Sequence, residues 1–586
     1  MIKILKQFSF KEWLIVLFCL VLTYINVTLE LKIPDYMSEI TRLIQSSSDN
    51  MSHDILVQGA WMLLFAFSSF ICAGISIYFA ARLSSSFSQN IREKIFNKVE
   101  SFGLKEMKKF QTASLITRTT NDITQIETFI AMGLHMMLRS PIMCVMAITK
   151  IIGKSIEWSM LLAGCVVLLL AVVITIFIIV VPKFKLMQKL IDKLNAVTRE
   201  NITGVRVIRA FNAEKFQSDR FEDVNNNLTK TQTFNLKAFA VLGPVMNIVM
   251  HFLTFGIYLI GAYLISNSLM VDKVEIFSNM VVFSSYGMQV IMSFLMLAFV
   301  FMIGPRASIS ANRINEVLEE ENSIKEGTFN KPTEETGTVE FKNVSFRYPD
   351  ADEYIIENIS FKANKGETIA FIGSTGSGKS TLINLIPRLY DATEGEVLVD
   401  NINVKDYTFE ALNNKLGYIT QKAVIFTGSV KDNVSYGETD HKIKEEDIKE
   451  AIKIAQAEEF VSKLDGELKA HVARGGTNLS GGQKQRLSIA RAIARKPEIY
   501  IFDDTFSALD YKTDLALRKE LKKYTKDATS LIVAQRIGTI MNADKILVLD
   551  NGKCVGMGTH KELLKYCEVY KEIALSQLSE EELQNA

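Results

Sequence analysis

The chain has little cysteine, no excess charge of either sign, and no long apolar run in its second half. Its six cysteines among 586 residues form no CxxC pair, and most of them lie in apolar runs, where cysteine usually behaves as a small buried hydrophobe. We therefore expect neither a disulfide framework nor a zinc site. The 66 Lys and Arg against 65 Asp and Glu leave a formal charge of +1, which gives no electrostatic reason to expect nucleic acid as a partner.

Apolar runs long enough to cross a lipid bilayer are confined to the first 305 residues. A helix needs about 20 apolar residues to span the hydrocarbon layer. Six stretches meet this requirement: Trp13–Ile33, Ile55–Ala81, Phe129–Ile152, Met160–Val181, Ala238–Ile265 and Phe277–Gly304. The third is the least regular, because Arg139, Pro141 and Lys150 interrupt it. The sequence therefore predicts an all-α domain of six spans in a lipid bilayer.

The distribution of basic residues predicts how these spans are oriented. Lys3, Lys6 and Lys11 precede the first span, and the connection over residues 82–128 is also rich in Lys and Arg. Cytoplasmic segments of membrane proteins carry such an excess. We therefore expect a multi-pass protein of a plasma membrane, with both termini in the cytoplasm.

Two cytoplasmic connections are unusually long. Residues 82–128 and 182–237 are polar, form helices readily and contain few Gly or Pro, which predicts helices that continue beyond the bilayer. We expect the chain to turn back near Ala113–Gln125 in the first connection and near Glu200–Phe211 in the second.

The spans say little about what crosses the membrane. Met288, Met292 and Met296 recur every four residues on the sixth span, and they either form an adaptable wall for apolar cargo or pack against other helices and lipid. Asn247 and His251 on the fifth span face either a cavity or a neighbouring helix.

From about Gly337 onward, short apolar runs alternate with helical patterns, which predicts an α/β domain built on a largely parallel sheet. The predicted strand Glu367–Ile372 leads into a Gly- and Ser-rich segment, and a helical pattern follows from Leu382. This is a P-loop in its strand–loop–helix setting, where backbone N–H groups and a lysine surround phosphates. Its residues are Gly373, Ser374, Thr375, Gly376, Ser377, Gly378, Lys379, Ser380 and Thr381.

Magnesium ligands are predicted beside this loop. The Ser380 hydroxyl follows the lysine of the P-loop and is suited to Mg²⁺. The run Ile499–Asp503 is four apolar residues ending in a carboxylate, as expected of a buried strand that delivers Asp503 to the metal. We therefore expect ATP and Mg²⁺ as the cofactors.

A second motif decides the family resemblance. The residues Leu479, Ser480, Gly481, Gly482 and Gln483 spell LSGGQ. Together with the P-loop they make the chain resemble the ATP-binding cassette (ABC) transporters, and among them the exporter-type half-transporters with six spans and one nucleotide-binding domain. The resemblance covers essentially the whole chain.

The resemblance implies the fold and the assembly. It implies a type I exporter (type IV ABC) fold with a transmembrane domain over residues 1–320, a linker over 321–338 and an α/β P-loop nucleotide-binding domain over 339–586. It further implies that two such domains close head to tail, so that each ATP lies between the P-loop of one chain and the signature of the other. An ATP hydrolase coupled to transport is the expected activity.

Three further residues take roles only through this resemblance. Tyr348 matches the aromatic residue that stacks on adenine, and Gln421 matches the glutamine that senses Mg²⁺ and the γ-phosphate. Asp510 closes the run SALD, which matches the loop that passes geometry to the opposite site. The two expected turns in the cytoplasmic connections fall where the family places its coupling helices.

The chain departs from the family pattern at two catalytic positions. Asp504 stands where the family usually has a glutamate as general base, and its carboxylate is one methylene nearer the backbone. Gln535 stands where the family usually has a histidine that bonds the γ-phosphate; a glutamine donates a hydrogen bond but carries no charge. A positioned base typically contributes about 10² to 10⁴ in rate, so we expect this chain's own site to hydrolyse ATP slowly.

These departures predict a partner. Because the signature is intact, this chain should complete a competent site on a second half-transporter that carries the usual Glu and His. We therefore expect a heterodimeric exporter of small amphipathic, hydrophobic or peptide substrates. The alternatives are a homodimeric exporter, an exporter-fold importer, and an ATP-binding regulatory membrane subunit.

Overall fold

A computed structural model describes residues 2–45, 51–152, 154–349 and 351–578. Their contacts divide the chain into two compact units. The first unit spans residues 1–100 and 113–320, and the second spans 101–112 and 321–586. The chain therefore leaves the first unit for a short excursion at residues 101–112, returns to it, and leaves it again after residue 320.

The described part of the first unit is helical throughout. Its α-helices are Ile2–Leu5, Phe10–Gln45, Met51–Glu100, Thr112–Thr117, Ile123–Thr128, Leu134–Ile151, Ile156–Thr203, Val205–Ala210, Glu214–Ala240, Leu242–Ser266 and Met270–Glu319. Six stretches are long and apolar enough to span a membrane: Phe10–Ile44, Met51–Glu100, Thr112–Ile151, Ile156–Thr203, Glu214–Ser266 and Asp272–Glu319. The predicted all-α domain of six spans is confirmed.

The third span is irregular at positions that the sequence did not single out. Two π-helical turns, Arg118–Asp122 and Phe129–Gly133, interrupt it before the regular helix Leu134–Ile151 begins. Pro141 lies inside that helix without ending it. Such π turns insert a residue into the helical hydrogen-bond ladder. The irregular part of the span therefore precedes Arg139, Pro141 and Lys150.

The charged residues of this span are paired within the unit. The Arg139 guanidinium lies 2.7 Å from the Glu30 carboxylate, and the Lys150 ammonium lies 2.6 Å from Asp35. Charges within a bilayer are costly unless they are paired in this way. On the other spans, Asn247 and His251 are exposed in this chain, and Met292 is 41% exposed, so none of the three is in the unit's own core.

The connection between the second and third spans turns back earlier than predicted. A short helix, Leu104–Phe110, makes the turn, whereas Ala113–Gln125 belongs to the helical stretch that returns to the membrane. The Phe102 and Phe110 rings stack at 5.7 Å, and Gln111 ends the helix with a φ of 57°. The second connection turns at Gly204 and the helix Val205–Ala210, within the predicted range.

The second unit contains the predicted α/β fold. Its strands are β1 (Val339–Phe346), β2 (Ile356–Ala363), β3 (Thr368–Gly373), β4 (Glu394–Val399), β5 (Ile402–Asn403), β6 (Leu416–Ile419), β7 (Gly428–Ser429), β8 (His471–Val472), β9 (Ile499–Asp503), β10 (Thr529–Val533), β11 (Lys545–Asp550) and β12 (Lys553–Gly558). The central sheet has the order β12-β11-β3-β10-β9-β6, with β12 antiparallel and the other neighbours parallel. An antiparallel sheet has the order β2-β1-β4-β5.

Helices cover the central sheet and a helical lobe extends from it. The α-helices of this unit are Leu104–Phe110, Lys379–Asn384, Phe409–Lys415, Val430–Val434, Glu445–Ile454, Glu458–Val461, Gly481–Ala494, Tyr511–Tyr524, Ile537–Ile540, His560–Tyr566 and Glu568–Leu575. One apolar core lies between the two sheets. A second packs the helices from Val430–Val434 to Tyr511–Tyr524, here called the helical lobe, against β6 and β9. The carboxyl ends of the parallel strands therefore lie at one edge of the central sheet, and the P-loop begins there, after β3.

Candidate functional site

The P-loop connects the end of β3 to the helix Lys379–Asn384. This helix begins three residues before the predicted Leu382, directly at the lysine. Gly376 and Gly378 have φ values of +89° and +93°, which favour glycine. A Cβ at Gly378 would lie 2.8 Å from the Ile355 carbonyl oxygen, whereas one at Gly376 would meet nothing within 4 Å. The loop is therefore closed on the protein side and open on the side where phosphates would lie.

Lys379 is anchored across this loop. Its ammonium donates to the carbonyl oxygens of Gly373 and Ser374 at 2.9 and 2.7 Å. Burial lowers the pKa of Lys379, and the carboxylates of Asp504 and Asp503 oppose that shift. A cation held at this position, beside backbone N–H groups, is suited to a phosphate chain.

The expected magnesium ligands meet beside the loop. Ser380 donates its hydroxyl to Asp503 Oδ1 at 2.7 Å, and Asp503 is the last residue of β9. Burial raises the pKa of Asp503, and the Asp504 carboxylate adds to the shift. The carboxylate, hydroxyl and carboxamide oxygens of Asp503, Ser380 and Gln421 are the hard donors that Mg²⁺ prefers. They fit this ion, which would neutralise phosphate charge when bound.

The Asp504 carboxylate accepts hydrogen bonds from two glutamines at the site. Its Oδ2 accepts from Gln421 Nε2 at 3.1 Å and from Gln535 Nε2 at 2.9 Å. The backbone of Asp504 is left-handed with a φ of 45°, and its N–H donates to the Val533 carbonyl at 3.0 Å. The residues predicted as catalytic therefore meet at one carboxylate oxygen.

Tyr348 lies at the edge of the same site. Its hydroxyl hydrogen-bonds Thr381 Oγ1 at 3.1 Å, and its ring packs edge-on against Tyr390. It also lines a cavity of about 460 Å³ with Arg347 and Lys105. The ring is thus tied to the P-loop and borders a space next to it, as an aromatic residue that contacts a base would be.

The signature segment forms a separate surface. Ser480 caps the helix Gly481–Ala494 in a capping box with Gln483, and Leu479 is buried beneath it. Among the described residues, no hydrogen bond links Leu479–Gln483 to the P-loop. Within one chain, the two halves of the expected site are therefore not joined.

The middle of the run SALD lies against the signature segment. A Cβ at Gly482 would lie 3.4 Å from the Ala508 carbonyl oxygen. Asp510 caps the helix Tyr511–Tyr524 by accepting from the Thr513 N–H at 3.0 Å, which lowers the pKa of Asp510. The loop Ser507–Asp510 thus connects Asp504 with the signature surface through the backbone.

The comparisons with known proteins agree with this geometry. The family model described as "ABC transporter transmembrane region" matches residues 16–294, and the model described as "ABC transporter" matches residues 356–507. An uncharacterised ABC transporter ATP-binding protein of Mycobacterium tuberculosis is 38% identical over 522 residues, which are 89% of this chain and 88% of the relative. The chain belongs to the ABC transporter family.

Two other similar proteins extend this relationship. A putative multidrug export ATP-binding/permease protein of Staphylococcus aureus is 31% identical over 85% of this ABC transporter and 85% of its own length. The solved structure of a bacterial Atm1-family ABC exporter with ATP bound superposes with a TM-score of 0.82 at 20% identity, covering 97% of this chain and 98% of that one. The predicted type IV fold, with a membrane region fused to a nucleotide-binding domain, is confirmed.

Family membership gives the reaction class. ABC transporters bind ATP and couple its hydrolysis to transport across a membrane, and this chain contains both the membrane region and the ATPase region. It carries one of each, which is the arrangement of a half-transporter. Half-transporters of this family generally dimerise.

One buried glutamine that was not predicted from the sequence positions the loop that carries Gln421. Gln485, two residues after the signature, is buried and donates to the Thr420 carbonyl at 3.2 Å. It thereby fixes the residue before Gln421 and connects the signature helix to that loop. Its polarity at a buried helix position was the available signal, because a buried carboxamide is retained only where it has partners.

Proposed function

We propose that this ABC transporter is one half of a heterodimeric exporter and that its own nucleotide site binds Mg²⁺–ATP but hydrolyses it slowly. The intact signature completes the fast site on the partner's P-loop. The single observation that carries the proposal is the environment of Asp504. Two carboxamides hold a carboxylate that is one methylene shorter than the usual base, and neither carboxamide carries charge.

This environment opposes general-base catalysis for a geometric reason. A base has to lie within about 2.6–3.2 Å of the attacking water. Asp504 is 7% exposed, and its Oδ2 already accepts both carboxamides. A shorter side chain bound on both sides has less reach toward a water at the γ-phosphate. Binding is retained, because the P-loop, Ser380 and Asp503 form a complete set of phosphate and magnesium groups.

The partner follows from what this chain lacks. It is a second ABC half-transporter with Glu and His at the positions that match Asp504 and Gln535. We place the assembly in a plasma membrane with the ATPase regions and both termini in the cytoplasm; residues 579–586 at the C-terminus lie outside the described range. The name of the S. aureus relative favours export of amphipathic or hydrophobic compounds.

The proposal is tested by recovering the native assembly. The tagged chain is extracted gently from native membranes, and mass spectrometry identifies what remains bound at a near one-to-one ratio. We expect a second ABC chain with the Glu and His. ATPase activity should be low for this chain alone and should rise when the pair is reconstituted. Brisk hydrolysis by this chain alone, with no second ABC chain recovered, would instead establish a homodimeric transporter.

A further inference from the structure

Gln577, near the end of the described chain, makes two hydrogen bonds to the backbone next to the active site. Its Nε2 donates to the Gln535 carbonyl oxygen at 2.7 Å, and its Oε1 accepts from the Ile537 N–H at 2.8 Å. Gln577 follows the helix Glu568–Leu575 and lies 42 residues from Gln535. We propose that Gln577 is a positioning residue for the nucleotide site, acting through Gln535.

The segment that Gln577 holds has backbone groups in need of partners. Residues 534–536 follow β10 and lie outside any strand or helix, so the pairing of the sheet ends just before Gln535. Ile537 begins the helix Ile537–Ile540, and no side chain caps that helix at Arg536. The first N–H groups of a helix lack partners within it. The Gln577 carboxamide supplies an acceptor for one of them and a donor for the neighbouring carbonyl.

The placement of Gln577 is fixed by packing. Tyr570 and Ala574 of the preceding helix are fully buried in one apolar cluster with Ile537, and Leu578 packs against this cluster. The Tyr570 hydroxyl is itself held by His560 Nδ1 at 2.7 Å. The apolar contacts on either side of Gln577 therefore bring its carboxamide to Gln535 and keep it there.

The consequence reaches the active site through one side chain. Gln535 donates a hydrogen bond to Asp504 Oδ2. Gln577 therefore fixes the backbone of one of the two glutamines that hydrogen-bond the Asp504 carboxylate. If that backbone shifts, the hydrogen bond from Gln535 is lost and only the one from Gln421 still holds the Asp504 carboxylate beside the nucleotide. Within the described residues, the hydrogen bonds of the Gln577 side chain go to the backbone of Gln535 and Ile537 and not to Asp504 or the P-loop, which makes its role indirect.

The first test measures the contact itself in the full-length protein without nucleotide. Hydrogen exchange at the Ile537 amide is compared in wild type, Gln577→Ala and Gln577→Glu. We expect exchange about fivefold faster in Gln577→Ala, the effect of one lost hydrogen bond, and faster exchange in Gln577→Glu as well, because its second carboxylate oxygen would face the Gln535 carbonyl oxygen without a donor. Ser576→Ala is the matched control, because the Ser576 hydroxyl, just after the helix, bonds only the Ile573 carbonyl within the described part of the chain. Unchanged exchange in Gln577→Ala would overturn the proposal.

The second test asks whether Gln577 acts through Gln535. Release of labelled Mg²⁺–ATP is measured for wild type, Gln577→Ala, Gln535→Ala and the double variant. We expect release about fivefold faster in Gln577→Ala, and no further acceleration when Gln577→Ala is added to Gln535→Ala. Additive effects would show that Gln577 only fastens the C-terminal helix, and would overturn the positioning role.

This second test rests on the proposed function, whereas the first does not. If the wild-type chain retains no Mg²⁺–ATP, the proposed function fails, and the exchange at Ile537 alone decides the proposal. Faster exchange in Gln577→Ala would then still support it, and unchanged exchange would overturn it.

Discussion

Asp504 Oδ2 accepts from Gln421 and Gln535, which approach it from different loops of the second unit. In a site built for hydrolysis, one of these partners is usually a histidine and the acid is longer, as the family resemblance implies. The difference amounts to one methylene and one charge. Both changes act on the position of a single oxygen, and the surrounding P-loop, Ser380 and Asp503 are unaffected by them.

This view predicts a gain of function from two substitutions. Asp504→Glu together with Gln535→His should raise hydrolysis at this chain's site by about 10- to 100-fold, since both the reach of the base and the charged partner are restored. The ATPase rate is measured with a partner whose catalytic glutamate has been replaced by glutamine, so that only this site contributes.

The single variants serve as the matched controls. Asp504→Glu alone adds a methylene between two glutamines and should gain less than the pair. A double variant no faster than wild type would mean that these two residues do not limit hydrolysis at this chain's site.

His560 makes stability in the second unit depend on pH. Burial lowers the pKa of His560, and the neighbouring Lys561 adds to the shift. Below the unfolded value of about 6.5 the unfolded chain binds the proton first, so the free energy of unfolding falls as pH drops through that value. His560→Gln should flatten this decline in a thermal unfolding series from pH 7.5 to 5.5. The exposed His441→Gln, in the same unit, should keep the wild-type slope.

At the scale of elements, Glu106 joins the short helix Leu104–Phe110 to the segment that begins at residue 321. It is 2% exposed and accepts from the Gly103 N–H at 3.0 Å and from the Ser323 N–H at 3.1 Å. Burial would raise the pKa of Glu106, but the hydrogen bonds from Ser323 and Gly103 outweigh it and lower the pKa. Both oxygens are therefore needed as acceptors.

Glu106→Gln should loosen this connection. One acceptor becomes an NH₂ group facing an N–H, which costs about 1–3 kcal/mol. Hydrogen exchange should accelerate over residues 101–112 and at Ser323, whereas the exposed Glu100→Gln should leave both segments unchanged. Equal exchange in wild type and Glu106→Gln would contradict the role assigned to these two bonds.

The elements themselves were predictable to different degrees. The six spans follow from apolar length alone, and β3, the P-loop and β9 follow from strand patterns next to glycine and aspartate. The turn between the second and third spans was predicted about ten residues too late, because it is fixed by local and tertiary contacts. The stacked rings of Phe102 and Phe110 and the bond from Glu106 to Ser323 leave no periodic signal. For the same reason the roles of Gln485 and Gln577, which hydrogen-bond backbone groups distant in the sequence, were not predicted.

For the whole molecule, the proposed head-to-tail heterodimer predicts that the two motifs of this chain differ in importance. Ser480→Arg should lower ATP hydrolysis by the heterodimer about 100-fold, the cost of losing a preorganised group at a reacting centre, because it disables the partner's fast site. Lys379→Ala should weaken ATP binding at this chain's own site and lower turnover far less. ATPase rates and nucleotide occupancy of the reconstituted pair separate the two effects. Equal losses of ATPase rate would indicate two equivalent sites.

The excursion of residues 101–112 into the second unit also constrains how the protein is made. Glu106 leaves the ribosome 217 residues before Ser323. At about 5–20 residues per second this is a delay of about 10 to 40 s. The membrane helices between them are made during that interval. The short helix meanwhile lacks the rest of the second unit, which begins at residue 321. The second unit is therefore complete only after all the membrane helices have been made, and a fragment that begins at Glu321 would lack residues 101–112 of that unit.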